Sequence, residues 1–180
     1  SLVGSEMCIR DRLKYLLALG ALMLSVSANA AEMPKVLGEY GDWTAWTYND
    51  RGNLICYMSS TPKKDEGKYT KRGDIYTIIT HRPSEKTFDE VSFVAGYSFD
   101  TKAPFTIKIG DKTFKNTFTE GTKGWMVSSQ EDRNLIAAMK RGERMIVDGK
   151  SSRGTTTKDT YSLKGFSSAY QAISAKCKKK

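Results

Sequence analysis

The sequence predicts an all-β, single-domain β-sandwich with one short inserted helix and a C-terminal helix. Three observations support this fold class. From Trp43 onward, apolar residues recur mostly at every second position, as in half-buried strands. Turn-forming clusters separate the short apolar runs, and only two segments show helical spacing. With 180 residues, of which 39% are hydrophobic, the chain is long enough to bury one core.

The N-terminal segment has the pattern of a secretory signal peptide. Residues 13–30 place the positive charge of Lys14 before an apolar run, which ends at the small-residue site Ala28-Asn29-Ala30. The run is too short to span a bilayer. We therefore expect cleavage near Ala30, a domain over residues 31–180, and a periplasmic, extracellular or outer-envelope location. Residues 1–12 fit no segment expected before a signal, and we interpret them as translated adapter sequence from sequencing.

The first strands are predicted as a hairpin. Residues 43–48 are aromatic and β-branched, residues 49–53 form a turn cluster, and residues 54–58 are again apolar. The charged segment 62–72 follows, and we expect it to be a solvated loop.

Further strands follow from alternation and turn signals. Residues 74–82 alternate and end at Pro83, which cannot donate to a strand ladder. The other predicted strands are short and are separated by turns: 90–97, 105–109, 113–115, 124–127, 145–147 and 160–164. This succession is typical of a sandwich or barrel.

Two helices interrupt the strand pattern. Ser128 and Glu131 have the spacing of a capping box, an apolar stripe follows at positions 135, 136 and 139, and Gly142 ends the helix. The second helix is predicted over about residues 167–176. Apolar positions 166, 170, 173 and 177 share one of its faces, so Cys177 should point toward the core.

The cysteines indicate one disulfide. Cys8 lies in the excluded segment, which leaves Cys56 and Cys177. An even number of cysteines in an exported protein favours a disulfide between them.

Hydroxyl-rich segments resemble catalytic motifs but lack their partners. Residues 149–151 read GKS, but Arg144 stands where a phosphate-binding loop needs a glycine. Ser60 and Lys63 match S-x-x-K, yet Pro62 lies between them, and the S-D-N and K-T-G motifs are absent. We interpret residues 151–166 as a turn and a strand with one wet face.

Histidine and metal chemistry are equally weakly supported. His81 is the only histidine, lies at the end of a predicted strand, and has no G-x-S-x-G motif to accompany it. One histidine and two disulfide cysteines do not form a zinc ligand set. The adjacent acidic pairs lack the spacing of a calcium loop. The sequence therefore predicts no catalytic residue, no cofactor and no metal, and hence not an enzyme.

The charge balance favours an anionic partner. Removing the three basic and two acidic residues of the first 30 leaves 26 Lys and Arg against 18 Asp and Glu. Such an excess suits lipopolysaccharide, anionic lipid at a membrane surface or an acidic protein, whereas nucleic acid is not expected outside the cytoplasm. The candidate binding residues, chosen as charged residues beside predicted turns, are Arg72, Arg153 and Lys158. The alternative is that these three residues are solvated and contribute only solubility.

Two other functions stay open at this point. One is an envelope hydrolase with an unrecognised site that uses Ser60 or His81. The other is a small-ligand carrier whose cavity is lined by Trp43, Trp46, Tyr97 and Trp125.

Ordered sequence blocks resemble the invasion-associated locus B family of exported proteobacterial proteins. They are GDWTAW (41–46), LICYMSS (54–60), RGDIYTIITHRP (72–83), EVSFVAGYSF (90–99), LIAAMKRGERMIV (135–147) and SSRGTTTKDTYSLKGFSSA (151–169), followed by Cys177. The resemblance implies a β-sandwich-like fold, export to the periplasm or envelope, and no established enzymatic activity. Some members carry a cysteine soon after the tryptophan motif. Here that region reads Trp46-Thr47-Tyr48, so no disulfide is carried over there.

Overall fold

The computed structural model describes residues 33–103, 105–115 and 117–179. The segments interpreted above as adapter sequence (1–12) and signal peptide (13–30) lie outside the described residues. The elements follow in chain order: β1 Lys35–Tyr40, β2 Trp43–Asp50, β3 Asn53–Ser60, β4 Lys64–Gly67, β5 Tyr76–Arg82, β6 Thr87–Val94, β7 Thr106–Ile109, β8 Lys112–Phe114, β9 Thr117–Glu120, β10 Lys123–Met126, α1 Ser129–Met139, β11 Arg144–Lys150, β12 Thr156–Ser162 and α2 Phe166–Lys176.

Two antiparallel sheets form the body of the protein. The larger has seven strands in the order β1-β2-β3-β5-β6-β10-β9, and the smaller has five in the order β4-β12-β11-β7-β8. Helix α1 is inserted between β10 and β11, and α2 follows the last strand. The predicted fold class is therefore confirmed, including the short inserted helix and the C-terminal helix.

The β2–β3 hairpin forms where the sequence predicts it. The strands pair in register, with Trp46 opposite Tyr57. The turn residues Arg51 and Gly52 have φ angles of 52° and 90°. Positive φ at both central positions matches the twist of the flanking strands, which is why a glycine stands in this turn.

The core lies between the two sheets and beneath α2. Alternate residues of the strands point into it, and its largest fully buried side chains include Trp43, Phe93, Phe105, Tyr161 and Phe166. The Trp43 ring meets Phe166 of α2 edge-on at 5.0 Å between ring centroids. Its indole N–H donates to the backbone oxygen of Ser162 at 3.0 Å. One tryptophan thus joins β2, β12 and α2.

Both helices begin at residues suited to that position. The Ser128 hydroxyl accepts the backbone N–H of Glu131 at 3.3 Å, which confirms the predicted cap of α1. Helix α2 begins after Gly165, whose φ is 89°. A Cβ at Gly165 would lie 1.8 Å from the backbone oxygen of Tyr40, so only glycine fits there. Among the described residues, neither helix has the length and apolar character needed to cross a membrane.

The predicted disulfide between Cys56 and Cys177 is present in the structure, with an S–S distance of 2.01 Å. Cys56 lies in β3, and Cys177 directly follows α2. Since Cys177 shares a face with buried Ile173, the bond fixes the end of α2 against the seven-stranded sheet.

The prediction of a solvated loop at residues 62–72 is wrong in part. Four of these residues form β4, which pairs with β12 through the register Lys64↔Thr160 to Gly67↔Thr157. A short, charged strand at a sheet edge has no apolar alternation, so the period-two pattern does not reveal it. Strands β1 and β9 were also not predicted.

Candidate functional site

His81 lies in the interior and does not form a nucleophile–base pair. Its ring is fully buried, and Nδ1 accepts the backbone N–H of Asp89 at 3.1 Å. A backbone N–H can only donate, so the neutral ring carries its proton on Nε2, which lies 3.2 Å from the Ser174 hydroxyl. Burial lowers the pKa of His81, which favours this neutral form. Because Nε2 donates to Ser174, it cannot take the proton of that hydroxyl, as a general base must.

Ser60 and Lys63 do not interact as a catalytic pair either. The Ser60 hydroxyl is buried and donates to the backbone oxygen of Asp42 at 2.7 Å. The Lys63 ammonium lies 2.5 Å from the carboxylate of the same Asp42. Both side chains therefore hold the turn before β2.

A buried carboxylate lies next to His81 and anchors the C-terminal end of the chain. Asp89 accepts the Tyr170 hydroxyl at 2.6 Å and an ammonium hydrogen bond from Lys179, which also contacts the Tyr170 oxygen. Burial raises the pKa of Tyr170, and the bond to Asp89 adds to the shift, so Tyr170 remains a donor. The network Asp89–Tyr170–Lys179 thus joins β6 to α2 and to the residues after it.

A concave surface beside this network is lined mainly by positively charged side chains. The cavity has a volume of about 470 Å³ and is lined by Arg133, Lys140, Arg141 and Lys179 around the Tyr170 ring. We call these five residues the basic cleft. The Lys140 ammonium lies 3.8 Å from the centroid of the Tyr170 ring, close enough for a cation–π contact. Burial lowers the pKa of Lys140, and repulsion from Lys179 lowers it further.

The charge of the basic cleft is not balanced locally. Among the described residues that line the cavity, Asp89 is the only carboxylate, against four cations. It already accepts bonds from Tyr170 and Lys179. The cleft can therefore offer ammonium and guanidinium donors to an anion without breaking an existing ion pair.

A second buried carboxylate lies on the β6 side of α1. The Oδ1 atom of Asp132 accepts the backbone N–H of Val91 at 3.1 Å. Burial raises the pKa of Asp132 to about 7, although this hydrogen bond opposes the shift. Asp132 is consequently a group that titrates near neutral pH.

Arg72, predicted from the sequence as a surface binding residue, is instead buried. Its guanidinium forms two parallel bonds to the carboxylate of Asp159, at 2.7 and 2.6 Å, and its Nε donates to the Ala95 oxygen at 2.7 Å. The side chains of Arg72 and Asp159 are only 4% and 5% exposed. The aromatic rings of Tyr69 and Tyr97 also contact the guanidinium. Arg72 is a structural residue, because each of its three guanidinium nitrogens donates to a group inside the protein and its side chain is almost fully buried.

Arg153 and Lys158, the other two predicted binding residues, are exposed but do not meet Arg72. Lys158 points outward from β12, on the opposite face from buried Asp159. It lies opposite Glu66 and Asp148 on the two neighbouring strands, so a carboxylate flanks it on each side. A binding role for Arg153 and Lys158 stays a prediction.

The aromatic residues considered for a carrier cavity do not converge. Trp43 is buried in the core, and Tyr97 is half-buried with its hydroxyl 2.6 Å from the Thr157 hydroxyl. Trp125 stacks on Phe118, with 5.3 Å between ring centroids. Trp46 projects from the outer face of the seven-stranded sheet. The described residues thus show no enclosed cavity bounded by these four side chains.

Within the described ranges, no three His, Cys, Asp or Glu side chains are grouped closely enough to hold a metal ion. The polar clusters found there, around Asp89, Asp132 and Asp159, use their oxygens for internal hydrogen bonds.

The sequence matches the family model described as "Invasion associated locus B (IalB) protein" over residues 43–174. This match covers well over half of the chain. The chain belongs to the invasion-associated locus B family. The resemblance seen in the ordered sequence blocks is thereby confirmed. No curated protein sequence matches the chain.

A solved structure of a protein with the same family name has a similar fold. It is the crystal structure of invasion associated protein B from Bartonella henselae, with a TM-score of 0.56 and 14% sequence identity. The superposition covers 82% of this chain and 98% of the Bartonella chain. At this identity the similarity concerns the fold of the two proteins.

The residues of the basic cleft were not predicted as a site. Lys140 and Arg141 belong to the KRGER segment of one invasion-associated locus B block, and Lys179 belongs to the basic end of the chain. Each group resembles an ordinary solvated charge run. A local concentration of Lys and Arg at both places is the signal that the sequence offers. The two places come together only in the folded protein, where Lys140 and Lys179 both contact the Tyr170 ring.

Proposed function

We propose that this protein is an exported, non-enzymatic binding protein that recognises an anionic component of the bacterial envelope through the basic cleft. The predicted signal at residues 13–30 supports export to the periplasm or outer envelope. The excess of Lys and Arg over Asp and Glu supports an anionic partner.

One observation carries the proposal: four cations share a concave surface with one carboxylate that is already hydrogen-bonded. On a concave surface, several side chains can contact the same group of a ligand. An anion bound here would also relieve the repulsion between Lys140 and Lys179, which lowers the pKa of Lys140. Around Lys158, by contrast, carboxylates on both neighbouring strands would repel an anion.

The internal roles of His81, Ser174 and Ser60 support a non-enzymatic function. The His81 ring holds its proton on the nitrogen that faces Ser174, and Ser60 donates to a backbone oxygen. Neither serine has a base that could activate it.

The experiment compares two charge-reversal variants of the chain, expressed in a bacterial host and purified from the periplasm. Binding to phosphatidylglycerol vesicles, lipopolysaccharide micelles and neutral phosphatidylcholine vesicles is measured over a salt series. The test variant is K140E/R141E, and the matched control is R153E/K158E. Intact mass of the purified protein checks for cleavage near Ala30.

We expect binding to the anionic surfaces that weakens as salt rises, because solvent-exposed charges are screened. K140E/R141E should weaken it by at least about tenfold, since a hydrogen bond to a charged group contributes roughly 1.5–3 kcal/mol. R153E/K158E should bind like the wild type. Binding that survives K140E/R141E, or that is lost only in R153E/K158E, would contradict the assignment to the basic cleft.

A further inference from the structure

The outer face of the seven-stranded sheet contains a groove of about 610 Å³. Its lining combines aromatic rings with hydroxyl groups, contributed by strands β2, β3 and β5. We define the aromatic groove by six of its residues: Trp46, Tyr48, Tyr57, Ser59, Tyr76 and Arg82. These residues lie on the opposite face of the sheet from α2, since Tyr57 neighbours Cys56 in β3 and Cys56 is bonded to Cys177.

Such a face is unusual for the outside of a sandwich. The outer face of the five-stranded sheet has the usual charged character, with Lys108 paired to Asp148 and Lys158 between acidic neighbours. The seven-stranded sheet instead carries large rings outside, and Val36 and Phe118 on the same sheet are 52% and 48% exposed. The rings of the aromatic groove stand outside the core between the sheets, so core packing alone does not explain them. Exposed apolar surface of this kind marks binding sites.

The rings of the aromatic groove are held in fixed positions. Trp46 and Tyr57 lie directly opposite each other on β2 and β3, with ring planes 10° apart and centroids separated by 6.1 Å. The Trp46 indole N–H donates to the Ser59 hydroxyl at 3.2 Å. Tyr48 meets the Tyr57 ring edge-on, at 6.1 Å between centroids. The groove therefore presents rigid ring surfaces, at little entropic cost to a ligand that stacks on them.

The aromatic groove carries no unbalanced charge, although the chain as a whole is strongly basic. Arg82 at one end is paired with Glu90 at 3.0 Å, and Asp42 at the other end is paired with Lys63 at 2.5 Å. Burial raises the pKa of the Tyr57 phenol, so its hydroxyl remains an uncharged donor. Charge complementarity thus favours an uncharged ligand that has both apolar faces and many hydroxyl groups.

Two other occupants fit the groove less well. Strands β2, β3 and β5 each have a neighbouring strand on both sides, so an added peptide strand would find no free backbone ladder. A second copy of the chain would present the same concave groove, and two concave surfaces facing each other leave a void instead of interdigitating.

From these observations we propose that the aromatic groove is a binding site for an uncharged oligosaccharide. The C–H faces of the sugar rings would stack on Trp46 and Tyr57. Its hydroxyls would exchange hydrogen bonds with Ser59 and with the phenols of Tyr48 and Tyr76. This site is separate from the basic cleft and does not depend on the function proposed for it.

The test uses the purified protein with a panel of neutral oligosaccharides, including chitotriose, maltotriose and cellotriose, and follows binding by calorimetry and tryptophan fluorescence. The variants are W46A and Y57A, with Y57F as a version that keeps the ring. W125A is the matched control, because Trp125 is a tryptophan on the same sheet that does not line the groove. Circular dichroism checks that each variant is folded.

We expect at least one oligosaccharide to bind the wild-type protein. Its affinity should fall by at least about tenfold in W46A and Y57A, and by less in Y57F, which keeps the ring. The variants W125A and K140E/R141E should bind it with wild-type affinity. No binding across the neutral panel overturns the proposal, and so does binding that is insensitive to W46A. A proline-rich peptide that binds in place of sugars, or a dimer that dissociates in W46A, would assign the groove to a protein partner instead.

Discussion

Replacing Arg72 tests whether this residue is structural, as its contacts indicate, or functional, as its place beside a turn suggests. The variant Arg72→Ala removes two bonds to Asp159 and one to the Ala95 oxygen. It also leaves the Asp159 carboxylate, whose side chain is 5% exposed, without its countercharge. Breaking one partner of a buried ion pair costs about 3–5 kcal/mol. That is a large share of the roughly 5–15 kcal/mol by which domains are stable.

The assay is urea unfolding at pH 7, followed by tryptophan fluorescence. We expect R72A to lower the free energy of unfolding by about 3–5 kcal/mol. The control R153A removes an arginine that is exposed and should stay within about 0.5 kcal/mol of the wild type. The double variant R72M/D159L should recover much of the loss, because it removes both buried charges together. A change below about 1 kcal/mol in R72A would refute the structural role inferred for Arg72.

Two further predictions concern the disulfide and a buried carboxyl. The variant C56S/C177S should lower the free energy of unfolding by about 4–5 kcal/mol, because the 121-residue separation closes a long loop in the unfolded chain; equal urea midpoints for both proteins would contradict this. The pKa of Asp132 rises from 3.8 to about 7 in the folded state, so the folded protein holds more protons between these values and its stability falls as pH rises through this window. The variant Asp132→Asn keeps the oxygen that accepts the Val91 N–H but cannot titrate. Its free energy of unfolding should therefore rise relative to that of the wild type between pH 5 and pH 8. If the free energies of unfolding in urea change with pH in the same way for both proteins, Asp132 is not the titrating group.

The basic cleft and the aromatic groove lie on opposite faces of the seven-stranded sheet. Helix α2, which carries Tyr170, is bonded to the inner face through Cys177, whereas Trp46 and Tyr57 project from the outer face. Two ligands could therefore occupy the protein together. The two binding sites proposed above therefore do not exclude each other, and the two binding assays can be run on the same protein sample.

Much of the strand pattern could be predicted from the sequence, because alternation is a local property. Each period-two run places one face against a core, whichever strand lies beside it. The cap of α1 is likewise decided within three residues, between Ser128 and Glu131. Strand β4 was not predicted because it is charged and has no apolar alternation. It is held at the sheet edge by backbone hydrogen bonds to β12, and these bonds leave no pattern in its side chains.

The candidate sites depend on residues that are distant along the chain, and here prediction from the sequence was limited. Lys140 follows α1 and Lys179 follows α2, and they come together only because both ammonium groups contact the ring of Tyr170 in α2. Trp46 was considered for a cavity, but its partners in the groove are neighbours on β3 and β5 and not the other tryptophans.

By itself, the sequence determined the family, the fold class and the cysteine pair, since these follow from composition, spacing and ordered local blocks. Only the tertiary structure decided which charged side chains are accessible to a ligand. Arg72 and Lys140 are both cations beside chain turns, yet one is buried against Asp159 and the other lines a basic cleft. The physical reason is that the environment of a charge depends on the groups packed around it in space, and these come from elements that the sequence does not place side by side.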